Sequence, residues 1–271
     1  MQSKNSFFIE KTEIDFLQTL SCGQIFSYMQ TENGFIVFSG NKLAKITELA
    51  EKYLVETDNI NYFKNFFDLE TNYAEIMSQL SKHPVLKEPI NFGRGIRILK
   101  QDILETIVSF VISANNNIKR ITNSVFYLRE NFGEKVGNYY AFPTLEKLKS
   151  LSEDDFRRAG TGYRSVQLVK LIKQLSSQEF LTWGTLPTEK LKAKLIALSG
   201  VGPKVADCIM LFAYAKPDVF PVDTWIEKVY NQYFEPCADR VKIRRNLVDK
   251  FQNLSGYAQQ YLFFYQRNKK I

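Results

Sequence analysis

The sequence predicts an α+β chain, a small antiparallel sheet domain followed by a larger, mainly helical one. Three observations carry that reading. Early in the chain, apolar residues alternate over short stretches around a hairpin turn. From Gln101 onward they recur at helical spacing, in runs of roughly ten to sixteen residues. Between the two patterns, residues 84–95 hold two prolines and two glycines, the composition of a boundary. The division then falls at residues 1–92 for the sheet with its short helices and 93–271 for the helices.

Taken in order, Gln24-Ile-Phe-Ser-Tyr-Met29 reads as a strand. Glu32-Asn33-Gly34 is the turn that reverses it and Phe35-Ile-Val-Phe38 its partner. Residues 42–49 and 53–56 read as further strands, and 61–69 and 72–82, rich in Phe and Tyr, as short helices. Ile103, Leu104, Ile107, Val108, Val111 and Ile112 mark the first long helix. Residues 118–132, 165–175, 205–215, 224–234, 240–254 and 256–267 repeat the pattern, joined by short polar turns. There is no fixed-period repeat or low-complexity tract.

With 271 residues, 45% of them hydrophobic, the chain has enough apolar surface for real cores. No apolar run reaches the length of about 18 residues that a membrane span requires. The N-terminal stretch 1–10 has too short an apolar run for a signal peptide. Three scattered cysteines, Cys22, Cys208 and Cys237, suit a reducing compartment and cannot supply the four thiolates of an iron–sulfur cluster. One histidine, His83, argues against a multi-histidine metal centre or a histidine-based triad; placed before Pro84, it reads as ordinary surface. No metal and no organic cofactor is expected. The absent targeting segment and a Lys/Asn/Ile/Phe-rich composition lead us to expect a prokaryotic cytosolic, nucleoid-associated protein.

The net charge is +7, but its distribution says more. Residues 1–90 hold 8 Lys/Arg against 12 Asp/Glu, whereas residues 91–271 hold 28 against 17. An acidic front and a basic back suggest that the second part meets a polyanion.

Residues 191–198 are amphipathic, Gly200-Val201-Gly202 interrupts them, and Pro203 suits the first position of a new helix. This is a helix-hairpin-helix. Its glycines let backbone N–H groups approach a phosphate oxygen, and the helix start adds partial positive charge. Lys204 follows in the first turn, where helix dipole and partial burial both disfavour an ammonium ion. A neutral amine there can attack a sugar C1′, expel the base and remain as a Schiff base. A lysine that only contacts phosphate is the other reading, and the motif does not separate the two. Asp223, after Pro221-Val222 and before a helical run, is a natural N-cap whose carboxylate can steady an oxocarbenium-like sugar.

On these residues the chain resembles the 8-oxoguanine DNA glycosylase/AP lyase family, within the helix-hairpin-helix Gly/Pro/Asp superfamily of DNA glycosylases. The likeness runs from about residue 21 to residue 266. It is carried by Phe110-Val-Ile-Ser-Ala-Asn-Asn-Asn-Ile-Lys-Arg-Ile121, Gly162-Tyr-Arg164, Gly200-Val-Gly-Pro-Lys-Val-Ala-Asp-Cys208, Pro221-Val-Asp223, and Gly256-Tyr-Ala-Gln259 with Phe263. The resemblance makes Lys204 the Schiff-base nucleophile, Asp223 the catalytic carboxylate and Cys208 the cysteine beside that lysine. It gives Gln259 the Watson–Crick edge of a flipped base and Phe263 its ring face, two residues four apart on one helix face. Gly23 becomes the lesion sensor. Guanine N7 is an acceptor, oxidation at C8 turns it into an N–H donor, and a backbone carbonyl facing it rewards only the damaged base. One such pairing contributes about 1–3 kcal/mol. Asn115 and Tyr163 correspond to residues that fill and wedge the gap left in the duplex. Arg120 and Arg164 correspond to those that contact the orphaned cytosine, and Gly200 and Gly202 to the phosphate turn.

Two departures stand out. Trp225 occupies a place where eukaryotic members generally carry a histidine that helps hold the DNA backbone. The hairpin also reads Gly-Pro-Lys rather than Gly-Thr-Lys, which removes one backbone donor. The expected function is bifunctional. A monomer flips 8-oxoguanine, opposite cytosine, out of double-stranded DNA, removes it through the lysine and nicks the abasic site by β-elimination. The rivals are a non-catalytic helix-hairpin-helix DNA-binding module and a glycosylase of the same fold for another damaged base. Whether hairpin carbonyls hold a monovalent cation stays open.

Overall fold

The computed structural model describes residues 5–175 and 178–269, so the first four residues of the stretch weighed as a signal peptide lie outside it. Five antiparallel strands form the N-terminal sheet in the order β1-β5-β4-β3-β2: β1 Ser6–Glu10, β2 Tyr28–Thr31, β3 Gly34–Ser39, β4 Lys42–Glu48 and β5 Lys52–Thr57. The register places Phe35 opposite Ile46 and Ile46 opposite Val55. That row, with Val37 and Ala44, is the buried face. It packs on Phe16 of α1 (Phe16–Ser21) and on Phe63 and Phe66 of α2 (Ile60–Phe66).

The sheet differs from expectation at two places. The strand read from Gln24 begins only at Tyr28. Gln24 is fully buried and its amide replaces a strand partner: Nε2 donates to Thr19 O at 2.9 Å and Arg97 O at 2.8 Å, and Oε1 accepts from Leu99 N at 2.8 Å. Second, β1 and α1 carried no alternation to reveal them. Phe7, Phe8 and Ile9 run consecutively, and of the three only Ile9 is fully buried on this edge strand.

Within residues 84–95, read as a boundary, a 3-10 turn Pro84–Leu86 leads into α4 (Lys87–Phe92). With α3 (Tyr73–Leu80), this segment shares an apolar core with the C-terminal helices α12 (Thr224–Tyr233), α13 (Arg240–Phe251) and α14 (Ser255–Asn268). A separate and larger core forms around α5 (Ile103–Ser113) and α11 (Pro203–Ala213), both buried along most of their length. Around them lie α6 (Ile118–Phe132), a short hairpin of β6 (Lys135–Val136) and β7 (Tyr139–Tyr140), α7 (Leu145–Lys149), α8 (Glu153–Arg158), α9 (Arg164–Gln174) and α10 (Thr188–Ile196). Among the described residues, no helix is long and apolar enough to cross a membrane.

One ionic knot joins sheet and helices. Glu105 of α5 accepts from Arg129 Nη2 (2.6 Å), Gly40 N (2.8 Å) and the Ser27 hydroxyl, and Arg129 also donates to Gly40 O and Tyr140 O. Arg129 is 1% exposed.

Candidate active site

The helix-hairpin-helix forms as the spacing requires. α10 ends at Ile196, Gly200 turns with φ +82° beside Val111 of α5, and Gly202 caps α11 with Pro203 in its first turn. Gly202 is exposed with open space around it, so a phosphate can reach its backbone. Lys204 is half-buried, its Nζ 5.5 Å from the centroid of the Phe110 ring and hydrogen-bonded to the Cys208 thiol one turn along. Phe110 is locked there by stacking on Phe212 (5.5 Å, 19°) and an edge contact with Phe26. Burial pushes the Cys208 thiol up to about 11, with the Lys204 amine pulling the other way. Cys208 is therefore a protonated thiol near neutrality.

Asp223 is the N-cap expected of it: Oδ1 accepts from Trp225 N and Ile226 N, both at 3.0 Å. Its charge acts at Cys208 and at Arg267, with no ion pair to either among the described residues. Trp225 is half-buried in the first turn of α12, with Lys228 Nζ 4.9 Å from its ring.

A second wall comes from α14. Gly256 lets that helix press on α11, since a Cβ there would fall 2.4 Å from Leu211 Cδ1. Gln259 is 5% exposed, and its Oε1 is buried with no partner among the described residues. Phe263 lies one turn on and meets Gly23 from the far end of the sequence: a Cβ on Gly23 would sit 3.3 Å from Phe263 Cε1. Gly23 has φ +89°, a backbone only glycine adopts freely. Arg267, one further turn along α14, closes this corner. Its Nη2 donates to Ser21 O at 2.6 Å and its guanidinium lies 5.3 Å from the Phe263 centroid. Desolvation pulls its pKa below the ordinary arginine value, opposed by Cys22, Tyr28 and Asp223.

The third group lies on an exposed rim. Asn115 is exposed with φ +50°, and Tyr163, 60% exposed, precedes α9. Arg164 is not the outward-facing guanidinium that the opposite-base role suggests. It is 4% exposed, donates to Asn115 O (2.7 Å), to Ala114 O and to Thr161 O (3.3 Å), and lies under the Tyr163 ring at 4.4 Å. It braces the loop that carries Asn115. Arg120 is exposed in the first turn of α6, its backbone N–H capped by Asn117.

The structure thus joins Lys204 with Cys208, and Gly23 with Phe263 and Arg267, while Asp223 caps α12 within electrostatic reach of Cys208 and Arg267. Asn115, Tyr163 and Arg164 form a third group, Trp225 is tied to Asp223 through its backbone N–H, and Arg120 stands apart. Phe110 and Arg267 escaped sequence reasoning. Arg267 could have been found, because it continues the four-residue spacing of Gln259 and Phe263. Among the described residues, no group of three or more His, Cys, Asp or Glu could hold a metal ion.

Comparison with known proteins supplies the context. Residues 6–107 match the family model for the 8-oxoguanine DNA glycosylase N-terminal domain, and residues 108–253 match that of the HhH-GPD superfamily base excision DNA repair proteins. The N-glycosylase/DNA lyase OGG1 of Arabidopsis thaliana is 30% identical over 93% of this chain and 77% of its own length. The 8-oxoguanine glycosylase/lyase of Clostridium acetobutylicum, solved with double-stranded DNA containing cytosine opposite 8-oxoguanine, superposes with a TM-score of 0.93 at 36% identity. That alignment covers 99% of this chain and 97% of that one. A 3-methyladenine DNA glycosylase of Archaeoglobus fulgidus, 17% identical with a TM-score of 0.80 and covering 98% and 100% of the two chains, shares the fold.

Proposed function

We infer the function from one premise: the chain belongs to the 8-oxoguanine DNA glycosylase family of the HhH-GPD base excision repair superfamily. It is an N-glycosylase/DNA lyase that removes 8-oxoguanine from duplex DNA and nicks the resulting abasic site. The observation that supports the residue assignment is the pairing of Lys204 with Cys208 on α11 and of Gly23 with Phe263 and Arg267, with the Asp223 carboxylate near enough for its charge to act on Cys208 and Arg267.

Gly202 and the start of α11 take a phosphate of the lesion strand. Asn115 and Tyr163 enter the duplex where the base has left, on the loop that Arg164 braces, and exposed Arg120 reaches the O2 and N3 acceptors of the opposite cytosine. The flipped base stacks on Phe263, gives hydrogen bonds to Gln259 Oε1 through its Watson–Crick edge, and presents N7–H to the Gly23 carbonyl. The unpartnered Gln259 Oε1 supports this, since a buried acceptor left unpaired costs about 1–3 kcal/mol and the base supplies its donor. Lys204 attacks C1′, Asp223 steadies the cationic sugar, and the Schiff base permits β-elimination of the 3′ phosphate.

The test is single-turnover incubation with an 8-oxoguanine:cytosine duplex, scoring base release apart from nicking, with and without borohydride. A trapped adduct that Lys204→Gln abolishes while retaining DNA binding supports the assignment. Full base release by Lys204→Gln refutes it. A duplex panel with alkylated and mismatched bases separates this reading from a same-fold glycosylase of other specificity.

A further inference from the structure

A guanidinium placed in the lesion corner needs a reason. Arg267 has no carboxylate within ion-pair distance among the described residues. One arm, Nη2, is spent on Ser21 O. The other, Nη1, is buried and has no acceptor among the described residues. It lies 2.9 Å from where a Cβ on Gly23 would be, next to the Phe263 ring. A buried donor without an acceptor is unfavourable, so a ligand that brings an acceptor to this point gains by doing so.

We propose that Arg267 is a further catalytic residue of this enzyme: its Nη1 hydrogen-bonds the oxygen at C8 of the flipped base and stabilises the negative charge that the base acquires as it leaves. The inference rests on the functional reading above and adds a second contact to it. N7–H and the C8 oxygen project from adjacent atoms of one five-membered ring. A carbonyl and an N–H donor that read them together must be neighbours, as Gly23 and Arg267 are. Normal guanine offers neither group, having an N7 acceptor and a C8–H. The bond to Ser21 and the contact with Phe263 hold the guanidinium in place, so little reorganisation is required when the lesion enters.

The charge argument follows from the reaction. The neutral Lys204 amine bonds to C1′ as the C1′–N9 bond breaks. The bonding pair departs on the base, where N9 and the C8 oxygen share it. A proton lost from the new C1′–N bond's nitrogen then neutralises that anion. A fixed positive charge at the C8 oxygen is worth most while the anion is forming, so it acts on the rate of base release more than on DNA binding.

The experiment compares wild type, Arg267→Leu and Arg267→Lys under single-turnover conditions. One duplex carries 8-oxoguanine opposite cytosine, and a second carries a preformed abasic site that has no base to release. Arg267→Leu is expected to slow base release by about 10²-fold at saturating enzyme, as for loss of one preorganised donor. Nicking at the abasic site falls far less, and Arg267→Lys recovers part of the loss. Equal losses on the two duplexes would make Arg267 a structural brace and overturn the proposal, as would unchanged base release in Arg267→Leu. Failure of the functional reading shows separately, because the wild type itself would then leave 8-oxoguanine in place.

Discussion

Arg129→Met tests whether the Glu105–Arg129 knot holds the sheet against the helices. The side chain lost is 1% exposed and makes a 2.6 Å bond to Glu105 Oε1 as well as bonds to Gly40 O (3.2 Å) and Tyr140 O (3.0 Å). Met fills much of the volume and keeps contact with the Phe38 and Phe142 rings that now flank the guanidinium. What it cannot do is neutralise Glu105, which is left with the Ser27 hydroxyl and the Gly40 N–H alone. Removing one partner of a buried pair costs about 3–5 kcal/mol, a large share of a total stability of about 5–15 kcal/mol. At about 2–4 °C per kcal/mol for a chain of this size, the melting temperature should drop by about 6–20 °C. Differential scanning calorimetry reads this directly. The double variant Glu105→Gln/Arg129→Met removes both charges and should melt above Arg129→Met alone. A drop under about 2 °C, or a double variant that is merely the sum of the singles, would refute the reasoning.

Asp223→Asn should preserve the α12 cap, because asparagine also caps well, yet lose the carboxylate; we expect base release to fall by about 10²–10³-fold with little change in melting temperature, read by single-turnover kinetics and calorimetry. Gly23→Ala forces a residue with a side chain into φ +89° and drives its Cβ to 2.9 Å from Arg267 Nη1. It should cost about 1–2 kcal/mol of stability and narrow the rate gap between 8-oxoguanine and guanine, measured on paired duplexes. Iodoacetamide at pH 8 should label native protein at half-buried Cys237 alone, by mass spectrometry, because burial lifts the thiols of Cys22 and Cys208 up to about 11. Those two groups bind their protons more tightly folded than unfolded. Their contribution is intact below the unfolded value of 9.0 and is lost as pH rises toward 11, so denaturant midpoints should decline over that window.

Much of this architecture was legible in the residues, and the misses share a cause. Hairpin, caps and long helices announce themselves locally: Glu32-Asn33-Gly34 closes β2 onto β3, and Asp223 caps α12 within three residues of itself. Features set by distant partners do not. Gln24 lies outside the strand because Thr19, Arg97 and Leu99 bond its side chain. Residues 84–95 have the composition of a boundary, and the helix within them forms because α14 offers Ile90 and Leu86 an apolar face. The resemblance gives Arg164 an opposite-base contact, and only the loop at Ala114 and Asn115, fifty residues earlier, turns its guanidinium inward. The pairing of Gly23 with Phe263 could not be seen without the family resemblance, since nothing local links two residues at opposite ends of the chain.

The position of Cys208 shows how burial can serve chemistry without taking part in it. A thiolate one turn from Lys204 would pair with the amine and hold it as an ammonium ion, useless as a nucleophile. Packed at 4% exposure, Cys208 stays protonated well past neutrality, so its contact with Lys204 is a hydrogen bond and not an ion pair. Phe110 completes the arrangement from the other side at 5.5 Å. A ring face attracts a cation more weakly than an anion would, and its attraction does not titrate. It therefore offers modest support to the iminium that the amine's nitrogen becomes after attack. An acidic side chain in either place would favour the ammonium form of the amine and slow the step; an aromatic face and a buried thiol leave the charge to be met where it forms, on the sugar.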